Sequence, residues 1–140
     1  MQGGFVKWDG MASPEERLKS LELLHGIIGR LSTHSFLLKG WAVTLTAALL
    51  TLTDAERQAK LALLIGLPTV MFWALDAYLL ARERAYRDLF EAHRMSQVSP
   101  FDFRLSVLSP QDWVATAFSR TLVVFYGLLL LSSVIVRIWR

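Results

Sequence analysis

The chain has 140 residues, 54% hydrophobic and 19% charged, with a formal net charge of +3 and no cysteine. The missing cysteines exclude disulfides, thiolate catalysis and cysteine-based zinc sites. The apolar residues gather in three segments, so the excess of Lys and Arg bears first on membrane orientation and anionic headgroups.

In chain order, residues 1–12 are Gly-rich, carry Phe5 and Trp8, and read as a flexible arm. They contain no apolar h-region, so no cleaved signal peptide is expected. Ser13-Pro14-Glu15-Glu16 is a capping box with proline at the first helical position. The helix expected over 13–34 is amphipathic: Leu18, Leu21, His25, Ile28 and Ser32 share a stripe, and charged residues occupy much of the remainder. It is too polar to span a bilayer and is expected at the membrane surface or against cytosolic helices.

Residues 35–81 read as a transmembrane helical hairpin around the charged turn Asp54–Lys60. A span needs about 20 apolar residues. Each arm is interrupted once, by Lys39 and by Asp76. Lys39 precedes Arg57 by 18 positions and Asp76 follows it by 19, so antiparallel arms bring the two charges level as an intramembrane pair. Arg120 is a candidate third member. Gly40, Thr44, Ala47, Ala48 and Thr51 share a face suited to close helix packing or to lining a narrow polar pathway. Pro68 is expected to kink the second arm, and Trp41, Trp73 and Tyr78 to form an aromatic belt.

The second helix has no Gly or Pro from Asp76 to Val98, so it is expected to project into the cytosol. Arg82, Arg84, Arg87, Arg94 and Arg104 form a candidate ligand face for lipid phosphate, a nucleotide or an oligonucleotide. Pairing with interleaved acids, as in Glu83–Arg87, Arg84–Asp88 and Arg87–Glu91, is the alternative use of these arginines. Residues 82–112 thus read as a cytosolic helix followed by a short extended segment, because Phe101, Phe103, Leu105 and Val107 alternate with polar residues in a strand-like period. Ser109-Pro110 starts a new helix, and 113–140 reads as a third transmembrane helix.

Lys and Arg number four before the first arm, two in the turn and six over 82–120. The positive-inside rule then places the N-terminus and 82–120 in the cytoplasm and the C-terminus outside, in the periplasm. The spacing Arg87…His93 resembles the catalytic motif of HEPN ribonucleases, a fold built as a soluble helical bundle. His25, His34 and His93 share no metal-ligand spacing, and no phosphate loop or nucleophile–base arrangement occurs. No catalytic residue, metal or cofactor is therefore expected, and an enzyme is not.

The segments SFLLKGWAVTL, FWALDAYLLARERAYRDLFEAHR, FDF and SRTLVVFYG together resemble a recurring type of small bacterial membrane protein. The plan is similar to the SLATT families, membrane hairpins flanked by cytosolic helices, which include effectors of Hailong-type antiphage defence. The resemblance implies a mainly α membrane protein that oligomerises and permeabilises the bacterial inner membrane in response to a cytosolic nucleotide or oligonucleotide. It lends no residue a role, and the third span is additional to the two-span plan. A ring of four or more copies is expected, because three helices enclose little alone. The rival expectation is a non-conducting scaffold that binds a cytosolic protein partner through its cytosolic helices.

Overall fold

The computed structural model describes residues 13–51, 58–95, 97–105 and 107–139, with side chains for all of these but 58–64, 137 and 139. The arm 1–12 and the tip of the hairpin turn, 52–57, lie outside the described residues. Four helices follow in order: α1 (Pro14–Thr51), α2 (Gln58–Arg94), α3 (Pro110–Ala117) and α4 (Arg120–Trp139).

The capping box starts α1 as its chemistry requires. Glu16 N–H donates to Ser13 Oγ at 3.2 Å, and Ser13 N–H donates to Glu16 Oε2 at 2.9 Å. The helix then runs unbroken for 38 residues, joining the amphipathic stretch and the first hairpin arm into one rod. Its buried stripe is Ser20, Leu24, Ile28, Ser35, Ala42 and Thr46. Steps of four and seven keep that stripe on one side, facing α2 along its length.

α2 has 37 residues, about 55 Å at 1.5 Å per residue, and carries Pro68 inside it. It is the element that the other three helices contact. The alternating segment after it does not become a strand. Among the described residues there is no strand at all. A lone strand leaves its backbone groups unpaired, and this segment turns instead, with Asp102 N–H donating to Ser99 O at 3.2 Å. Phe101 holds φ 66°, a left-handed conformation that costs a non-glycine residue on the order of 1 kcal/mol.

Ser109 caps α3 by accepting from Asp112 N–H at 3.2 Å. The chain then bends by 55° between Ala117 and Arg120, so the expected third span is two helices. Among the described residues no single helix is long and apolar enough to cross a membrane, whereas the bent pair Pro110–Ala117 with Arg120–Val136 passes on length and composition. The core lies where α1, α2 and α4 meet. Ala42, Ala77, Leu122 and Tyr126 are buried there, packed by Phe72, Trp73 and Leu80. Alanines at 42 and 77 leave room for the helices to approach.

Candidate functional site

One carboxylate ties the three long helices together. Asp76 of α2 is fully buried. Lys39 Nζ of α1 lies 2.6 Å from its Oδ2 and also donates to Ser35 Oγ at 2.8 Å. Ser35 Oγ donates in turn to Asp76 Oδ1. Tyr126 Oη of α4 donates to Oδ2 at 3.3 Å. Ser35 and Lys39 reach the same acid because positions i and i+4 share a helix face. A buried carboxylate is tolerable only when its charge is paired and its oxygens accept hydrogen bonds, and both conditions hold here. The Lys39 side chain keeps 21% exposure, so the pair opens to one side.

Trp73 fixes the tyrosine in this cluster. Its ring stacks on Tyr126 at 6.1 Å and 14°, meets Phe118 edge-on, and its Nε1 donates to Ala117 O at 2.9 Å. Trp113 Nε1 of α3 reaches back to Ala74 O at 3.3 Å. The α3–α4 bend is thereby pinned one turn from Asp76. Trp73 is thus a core residue, while Trp41 and Tyr78 remain exposed. Arg120 is exposed, and the groups that complete the cluster are Ser35 and Tyr126. Ser35 had a readable signal, a hydroxyl one turn before the lysine that interrupts the first apolar arm. Tyr126 had none, since its depth depends on the bend before α4.

The other singled-out residues separate into distinct roles. Gly40, Thr44, Ala47, Ala48 and Thr51 lie exposed on the outside of α1, away from its contact with α2. Thr44 Oγ1 donates to Gly40 O at 2.9 Å and Thr51 Oγ1 to Ala48 O at 2.8 Å, so both hydroxyls lie back on their own helix. Within the chain, Ser35, Ala42 and Thr46 do the packing that this small-residue face was a candidate for.

Of the arginines, Arg87 is held by Glu83 at 2.6 Å and Arg94 by Glu91 at 2.7 Å. Arg82 stands 5.9 Å from the rings of both Tyr78 and Tyr86. Arg84 makes a long contact, 3.4 Å, to Thr116 Oγ1 of α3. Arg104 lies 3.9 Å from Asp102 and is almost fully extended into solvent. Arg84 and Arg104 line one cleft of about 530 Å³ between α2, α3 and the 102–108 segment. Arg87 and His93 do not converge. Six positions on an α-helix leave side chains about 120° apart. His93 is buried, with Nδ1 at 2.9 Å from Leu89 O, its ring stacked on Phe103 and Nε2 without a partner. Among the described residues no cluster of His, Asp and Glu is arranged to hold a metal ion.

No protein-family model, curated protein or solved structure matches the chain. Its chemistry is therefore read from its own residues.

Proposed function

We propose that the chain is a homo-oligomeric bacterial inner-membrane channel or pore-forming effector of antiphage defence, gated by a cytosolic nucleotide or oligonucleotide signal. The observation that carries this reading is the outward face Gly40, Thr44, Ala47, Ala48 and Thr51 on α1. Small and hydroxylated side chains turned away from the subunit's own core suit contact with neighbouring copies around an axis. Four or more copies arranged this way enclose a path lined by Thr44 and Thr51.

Two further observations support membrane residence. Lys39 and Asp76, the charges that interrupt the two hairpin arms, neutralise each other inside the subunit, which lowers the cost of holding them in lipid. Large apolar side chains, among them Phe36, Leu67, Met71, Val124, Leu128 and Leu131, are exposed around the same bundle. The Lys and Arg distribution orients the N-terminus and residues 82–112 to the cytoplasm and the C-terminus to the periplasm. The signal would travel along α2, whose C-terminal half carries the arginines and whose midpoint is Asp76.

Ion flux through liposomes containing the purified chain tests this reading. Conduction that appears with added nucleotide or oligonucleotide, and that changes ion preference in Thr44→Val or Thr51→Val, is the expected result. A well-formed oligomer that passes no ion with any such ligand would overturn it.

A second reading is favoured by the groove between α1 and α2 lined by His25, Ile28, Gly29, Ser32, Phe90 and Glu91. There the protein would be a non-conducting scaffold whose cytosolic helices hold a protein partner. A partner retained at fixed stoichiometry through purification supports this alternative, and its loss in Gly29→Leu would locate the contact.

A further inference from the structure

The cleft between α2, α3 and the 102–108 segment carries more chemical information than its arginines alone. Its charged lining is Arg84, Asp88, Arg104 and Asp112, two cations and two anions. Thr116 adds a hydroxyl, and Leu89, Leu105 and Leu108 supply an apolar wall. The two guanidinium groups here are loosely held, at 3.4 Å to Thr116 and 3.9 Å to Asp102. Those of Arg87 and Arg94 are held at 2.6 and 2.7 Å by their own helix neighbours. Arg82 lies against the rings of Tyr78 and Tyr86, which leaves the two cleft arginines as the loosely held pair that faces a common space.

A balanced set of charges selects against a polyanion. An oligonucleotide strand would meet Asp88 and Asp112 as well as the arginines, and like-charge contact opposes binding. A ligand that is itself a zwitterion satisfies all four groups. A phosphate accepts from guanidinium forks, and a protonated amine donates to carboxylates. The cleft's volume, about 530 Å³, is of the size that holds one small ligand or headgroup.

The surroundings indicate where such a ligand resides. Arg84 follows Asp76 by eight positions, about 12 Å along α2, which is headgroup depth if Asp76 sits at the cytoplasmic edge of the hydrocarbon. Val107 in the wall is 95% exposed, and Trp113 and Phe118 on the adjacent helix and bend are exposed as well. Of these, Val107 belongs to the cleft's own lining, and it stands out where an acyl chain would leave the ligand.

We propose that this cleft binds a phosphate ester carrying a primary amine, the headgroup chemistry of an aminophospholipid. The inference rests on the membrane residence argued above and is independent of conduction. Arg84 and Arg104 hold the phosphate from α2 and from the 102–108 segment. Asp88 and Asp112 hold the ammonium from α2 and α3. The ligand thus bridges three elements, and α3 passes its position to the bend pinned by Trp73.

Calorimetric titration of the full chain in detergent tests this, with dihexanoyl phosphatidylethanolamine as the probe and its choline and glycerol analogues for comparison. The ethanolamine lipid is expected to bind about tenfold tighter than either analogue, because each lacks the N–H donors or the cation. Arg84→Gln and Asp88→Asn should each weaken it by about tenfold, both side chains being exposed so that folding is not at stake. Lys19→Gln, at an exposed pair far along α1, should leave binding unchanged. Free phosphoethanolamine distinguishes the source: binding of the lipid alone assigns the ligand to the membrane, and equal binding of both assigns it to a soluble amine phosphate. Equal or tighter binding of the glycerol lipid, binding indifferent to both substitutions, or a preference for adenosine monophosphate over every lipid would overturn the proposal. Headgroup selectivity without ion flux would leave the site standing and remove the pore. Ion flux without headgroup selectivity would do the reverse.

Discussion

Tyr126 on α4 donates a hydrogen bond to Asp76 on α2 across 50 positions of sequence, at 3.3 Å. The same carboxylate holds Lys39 and Ser35 of α1, so a single buried acid is common to three helices. A two-helix clasp would hold only the hairpin. With Tyr126 included, the cluster also fixes where α4 lies after its bend.

Asp76→Asn is expected to be among the most damaging single substitutions. It leaves the Lys39 ammonium partly buried without its counter-charge, a loss of about 3 kcal/mol for broken buried pairs. Thermal unfolding in detergent measures it. The double exchange Lys39→Asp with Asp76→Lys should recover only in part, because Ser35 and Tyr126 donate towards position 76 and suit an acid there. Full recovery would mean that these two donors contribute little.

Tyr126→Phe removes one donor and keeps the ring stacked on Trp73. The expected cost is about 1 kcal/mol, since Oδ2 still faces Lys39. Tyr126→Ala should cost about 3 kcal/mol or more, through the cavity it leaves. If both variants unfold at the same denaturant concentration, the hydroxyl and not the packing dominates.

Gly40→Leu and Ala48→Leu should leave the subunit's stability within about 0.5 kcal/mol, as is usual for exposed positions. A Cβ added at Gly40 meets nothing within 4 Å, and Ala48 is exposed. In the proposed assembly the same substitutions should dissociate the oligomer, because bulk on this face separates neighbouring helices. Light scattering of the detergent-solubilised protein reads the assembly, and unchanged mass in both variants would place the contact elsewhere.

Phe103→Ala should release the segment after α2 without touching the Asp76 cluster. It removes the ring stacked on His93 and the edge contact with Phe101. Hydrogen exchange should rise over 97–105 and stay unchanged around Asp76. Equal exchange in the variant and the parent would mean that the turn at Ser99–Asp102 holds the segment alone.

A variant of the Glu83–Arg87 pair and one of the cleft arginine Arg84 distinguish two uses of arginine on one helix. Glu83→Gln should free Arg87 and increase binding of anionic vesicles, whereas Arg84→Gln should reduce it. A cosedimentation assay at two salt concentrations compares them, since exposed charges are screened within about 10 Å at 0.1 M salt.

The features legible from neighbouring residues are local and periodic. Ser13-Pro14-Glu15-Glu16 and Ser109-Pro110 specify helix starts, because a cap needs only groups three residues apart. Counting from Arg57 sets Lys39 level with Asp76, because two helices joined by a short turn share one rise per residue. Contacts between distant segments set the remainder. Alternation over 101–107 cannot say whether a partner strand exists, and none does among the described residues, so the segment folds onto His93 instead. A row of arginines cannot show which are already held; that depends on rotamers and on α3, which leaves Arg84 and Arg104 at the cleft. Nor can hydropathy locate Tyr126, since the 55° bend before α4 sets which side of that helix reaches Asp76. Caps and helical periods are written in neighbouring residues, whereas the donors around a buried charge are chosen by packing between segments far apart in the chain.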